Sequence, residues 1–119
     1  MTKMIEVDVW VRGQQNAATH RIADVSPDTT AWTDADVHRL ISAMLLALER
    51  QKNPGGEPPP VTLRGFNWIV SPDEKGGVLV HLEMQMGTAS AGPFSIDADR
   101  LTAMIQRVMQ QTDRSESVH

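Results

Sequence analysis

Ile5, Val7, Val9 and Val11 alternate with Glu6, Asp8, Trp10 and Arg12. Period-two alternation of this kind predicts a half-buried strand with one apolar face. Trp10 falls on its polar side. Gly13-Gln14-Gln15-Asn16 predicts a hairpin turn. A second strand follows at about Ala18 to Val25, but Ile22 and Val25 lie on opposite faces by period two, so its register stays open.

The periodicity then changes. Ser26-Pro27-Asp28 breaks the strand, and Val37, Leu40, Ile41, Met44, Leu45 and Leu48 recur at helical spacing. Thr33 is placed to cap this helix by accepting from the Asp36 N–H, and Asp34 and Asp36 favour the positive end of its dipole. Trp32 and Val37 are spaced as a hydrophobic staple. Leu46 falls off the stripe. Asn53-Pro54-Gly55-Gly56 ends the helix, and Pro58-Pro59-Pro60 makes a stiff spacer back to the sheet.

The second half predicts strands at Val61–Val70 and Val78–Met86, joined by a polar loop from Ser71 to Gly77. The small-residue stretch Gly87–Pro93 reads as a flexible connection. Asp97 then caps a second helix with Ile96 and Leu101 as staple and Leu101, Met104, Ile105, Val108 and Met109 as stripe. From about 112 to 119 the chain is polar and is expected to fray. The two helices match cap for cap and stripe for stripe, but the strands do not align at the same offset. The likeness is one of physical pattern, because any helix packed on a sheet needs these features.

These elements predict one α+β domain over residues 1–119. Its antiparallel sheet has four to five strands, with two helices on one face, in the order β-β-α-β-β-(β)-α. The register of the second strand pair is a fork. If Val70 pairs with Val78, Phe66 and Trp68 enter the core, and Asn67 opposes His81. A one-residue slip puts Phe66, Trp68 and Arg64 beside His81 and Glu83 on the outer face. The first register is favoured because it buries the large rings. It still leaves Leu63, Ile69 and Leu79 on the outer face, an unusual apolar load for a solvated sheet.

Composition narrows the function classes. A net charge of −4 argues against a general nucleic-acid binder, which needs clustered Lys and Arg. The chain has 0 cysteines, so thiolate zinc sites, disulfides and Cys nucleophiles are excluded. No stretch has the ~20 apolar residues of a spanning helix, and the first residues form a strand pattern rather than a signal peptide. A soluble, cytoplasmic protein without membrane or nucleic-acid partners is the expectation.

No catalytic motif stands out. His81-x-Glu83 has the start of a zinc-deaminase pattern without its Cys pair, and a single His and carboxylate do not make a metal site. Thr88-Ala89-Ser90-Ala91-Gly92 has the outline of a G-x-S-x-G nucleophile elbow, but Thr88 stands where glycine is needed. Asp34-Ala35-Asp36 and Asp97-Ala98-Asp99 are paired carboxylates at helix starts, where acids stabilise the dipole anyway. No cofactor and no metal are expected. The residues of interest are Arg64, Asn67, Trp68, Leu79, His81 and Glu83. The expected function is non-catalytic protein interaction or homodimerisation through the outer sheet face, of inhibitor, immunity or adaptor type. The alternative is a small-ligand site between that face and the 87–93 loop. As an enzyme, the chain offers only His81 as a general base oriented by Glu83 or Asn67.

Overall fold

A computed structural model describes residues 5–22, 25–26, 28–53, 55–56 and 66–117, with side chains to 111. Its elements are β1 (Ile5–Val11), β2 (Ala18–Ile22), a 3-10 turn (Thr29–Ala31), α1 (Asp34–Lys52), β3 (Asn67–Pro72), β4 (Val78–Met84), β5 (Gly87–Phe94) and α2 (Ala98–Ser117). The strands form one antiparallel sheet in the order β2-β1-β5-β4-β3. The mixed α+β architecture and the element order agree with the sequence reading.

The β1 alternation does what period two requires: Val7 and Val9 are fully buried while Glu6, Asp8 and Trp10 are exposed. Ile22, the last residue of β2, and Val25 are both buried, although strict alternation would put them on opposite faces. The α1 stripe is buried in full. Each such side chain contributes about 1.5–3 kcal/mol before entropy is charged. A complete capping box starts α1: the Thr33 hydroxyl accepts from the Asp36 N–H, and the Asp36 carboxylate accepts from the Thr33 N–H. Trp32 is buried beneath it, edge-on to Phe94 with ring centroids 5.1 Å apart, and its indole donates to the Ser26 carbonyl. Asp97 caps α2 by accepting from the Arg100 N–H. The two helices are tied by a bidentate pair from Arg107 to Asp34 at 2.9 and 3.0 Å.

One expectation is corrected. Gly87–Pro93 is not a loop but most of β5, the central strand. Its side chains are small because β5 lies under α1 and between two close neighbours. Ala89 and Ala91 are buried on the helix face. A Cβ at Gly87 would sit inside hard contact of the Trp10 carbonyl on β1. Sequence scales read such a segment as flexible because they score side chains, not backbone approach. A bulge at Gly92–Pro93, opposite Val78–Val80, resets the alternation so that Phe94 returns to the core.

Candidate functional site

Helix α1 packs on β1, β2 and β5, and α2 packs against β3 and α1, so both layers of apolar stripe lie on one side of the sheet. The other side has no helix over it among the described residues. That outer face is built by the polar halves of the strand alternations. Strand pairing lines them up in rows. Thr19, Asp8, Ser90, His81 and Ile69 succeed one another across all five strands. Trp10, Thr88, Glu83 and Asn67 form the next row.

Register decides which predicted residues meet. Val70 pairs with Val80, which has the parity of the favoured register but lies two residues away from it. Asn67 therefore opposes Glu83, and Ile69 opposes His81; the expected pairing of Asn67 with His81 is corrected. Asn67, Leu79, His81 and Glu83 share the outer face. Trp68 does not join them: it stands opposite Leu82 on the helix side, half-buried against the core with Phe66. Arg64 and Leu63 lie outside the described residues.

The middle of the outer face is a hydrogen-bonded strip. The His81 ring bridges two hydroxyls, Nδ1 to Ser90 Oγ at 2.7 Å and Nε2 to Ser71 Oγ at 3.1 Å. A neutral imidazole has one donor and one acceptor nitrogen, so one serine donates and the other accepts. On β1 the Asp8 carboxylate accepts from the Thr19 hydroxyl at 2.6 Å. The sequence offers Ser90 only as the serine of an incomplete nucleophile elbow and gives no sign of Ser71. A loop over 87–93 does not place Ser90 beside His81; strand β5 does. Ser71 was assigned to the turn, although it is the last outward position of β3.

A serine hydroxyl against a histidine nitrogen has the first half of a nucleophile–base pair. The second half is missing. The nitrogen that a carboxylate would orient is bonded to Ser71, Asp8 lies opposite Ser90 rather than His81, and neither Glu83 nor Asn67 bonds the ring. Among the described residues no group of three His, Asp or Glu side chains could hold a metal ion. Among the described residues no helix is long and apolar enough to cross a membrane.

Apolar side chains flank the strip. Trp10 is 39% exposed on β1 and Ile69 is 46% exposed on β3, the two large hydrophobic residues most open to solvent among the described residues. Leu79 is half-buried on β4. The Trp10 indole donates to the Gln14 carbonyl, which holds the ring in place on the surface. Glu6, Asp8 and Glu83 add negative charge, against Arg21 on β2. No family model, no curated protein and no solved structure matches the chain.

Proposed function

We propose that this chain is a non-catalytic interaction domain that pairs with a second copy of itself through the outer sheet face. The observation that carries this reading is a five-stranded sheet covered by helices on one side only among the described residues, whose open side holds Trp10, Ile69 and Leu79 around a self-satisfied polar strip. Rigid aromatic and aliphatic anchors beside satisfied polar groups are what interface cores use. The size is adequate. Five strands spaced at about 4.8 Å span about 19 Å between the axes of the edge strands, and a strand of seven residues runs about 23 Å. Side-chain relief on such a face brings its accessible area toward the ~800 Å² per partner of a standard interface.

The non-catalytic part rests on the engagement of both His81 nitrogens by serines and on the lack of an orienting carboxylate. The ligand reading loses its loop, since 87–93 is the central strand. Light scattering coupled to size exclusion tests the pairing. The wild-type chain is expected at twice its 13.1 kDa mass and the Leu79→Glu variant at the monomer mass. A dimer that survives Leu79→Glu, with the fold intact by circular dichroism, would falsify this interface.

A further inference from the structure

A second surface lies on the opposite side of the sheet, at its β2 edge. An open groove of about 250 Å³ runs between β2 and α1, lined by His20, Arg21, Ala43, Leu46, Ala47 and Arg50 among others. Three features coincide there. First, β2 ends the sheet, so alternate residues of Ala18–Ile22 turn their N–H and C=O groups away from β1 with no strand beside them among the described residues. Second, the α1 wall is small and apolar. Ala43 and Ala47 leave room, and Leu46, which lies off the core stripe, is only half-buried. A helix that served the core alone would carry a polar residue at that position. Third, the charged side chains that reach the groove are those of His20 and Arg50, with no carboxylate in the lining, in a chain whose net charge is −4. Arg50 has no hydrogen-bond or ion-pair partner among the described residues, whereas the Arg21 side chain turns with Glu6 to the outer face, 4.0 Å from its carboxylate, and only the Arg21 stem borders the groove. His20 is fixed by a 3.1 Å hydrogen bond to Gln51 Oε1, and Gln51 is tied in turn to Gln14, so the floor of the groove is held rigid.

We infer that this groove receives an extended acidic peptide, which adds to β2 as a sixth strand. Main-chain hydrogen bonds to the free β2 edge supply affinity independent of sequence. One apolar side chain of the peptide enters between Ala43, Leu46 and Ala47. A carboxylate beside it faces Arg50. Because strand side chains alternate, only every second peptide residue reaches the helix, so the recognised pattern has period two. This site is separate from the outer face and does not depend on pairing through it.

The test is selection of a displayed library of random seven-residue peptides on the full chain, followed by fluorescence anisotropy of a labelled enriched peptide. Enrichment of Asp and Glu around a single apolar residue, without proline, is expected. Binding should weaken with added salt, and about tenfold or more in each of Arg50→Glu and Leu46→Glu, both surface changes that leave the core stripe intact. Leu79→Glu, on the outer face, should leave it unchanged, which separates this site from the proposed dimer face. No enrichment, neutral or basic consensus peptides, or binding that survives both groove variants overturns the proposal. So does a dimer that Arg50→Glu and Leu46→Glu dissociate, which would make the β2 edge a contact between two copies.

Discussion

Gly87→Ala probes the least expected part of the fold, the first residue of the central strand β5. Gly87 has a φ of +155°, and a Cβ there would fall inside hard contact of the Trp10 carbonyl oxygen and 3.0 Å from both the Trp10 carbonyl carbon and Val11 Cα. All three are backbone atoms of β1, so no side chain can swing away. The β1–β5 ladder must shift, and with it the junction between the β1–β2 pair and the β3–β4–β5 meander. Overpacking of this kind costs about 1–3 kcal/mol, and the glycine conformation adds about 1 kcal/mol. The expected loss is therefore about 2–4 kcal/mol, a large share of the 5–15 kcal/mol typical of a domain. At about 4 °C per kcal/mol for a chain of this length, the melting temperature should fall by about 8–16 °C. Gly13→Ala is the control, because Gly13 has a φ of +94° but nothing within 4 Å of the added Cβ. Only the conformational part, about 1 kcal/mol, should be lost there. Thermal and urea denaturation followed by circular dichroism read both variants. If Gly87→Ala is no less stable than Gly13→Ala, β5 does not approach β1 as described.

Further outcomes follow from individual contacts. Thr33→Ala removes half of the α1 capping box and should cost about 1 kcal/mol in urea denaturation, whereas Thr33→Asp should restore most of it. Arg107→Gln breaks the tie to Asp34. The Arg107 hydrogen bond, opposed by some desolvation, holds the Asp34 carboxyl below the usual carboxylate range. A group with a depressed folded value contributes stability above its unfolded value and loses it as pH falls through the folded one. The gap between wild type and Arg107→Gln should thus be largest near neutral pH and close in acid; a gap that widens in acid contradicts the pairing. Salt should strengthen self-association, since two copies of a face carrying Glu6, Asp8 and Glu83 against Arg21 repel each other. A dimer that weakens steadily with added salt in light scattering would contradict face-to-face stacking.

The parts of this molecule legible in its sequence are those where a side chain states its environment. The α1 and α2 stripes, the Thr33 and Asp97 caps and the β1 alternation each carry a periodicity or a hydrogen-bonding group that fits one setting. The face assignment of Phe66 and Trp68 also followed, because burying two large rings outweighs any other choice of parity. Strand β5 was hidden for the opposite reason. Gly87, Ala89 and Ala91 are selected by what must come close to them, and an absence of side chain looks the same in a loop and under a helix. That single misreading also concealed the place of Ser90 opposite His81. The two-residue offset between Val70 and Val80 is set by the turn from Asp73 to Gly77, where Asp73 and Gly77 close the loop by backbone hydrogen bonds that leave no apolar signature. The β2 groove needed three dimensions, since His20 and Arg50 come together only when the strand edge meets the helix.

Pairing through the outer face is tested most directly by ¹⁵N–¹H correlation spectra of the wild-type chain over a dilution series. The predicted result is a set of concentration-dependent shifts confined to β1, β4, β5 and the outward positions of β3, including the Trp10 indole N–H, His81 and Leu79. Shifts confined to α1, α2 or the β2 edge, or spectra of a monomer that do not change with concentration, would contradict it.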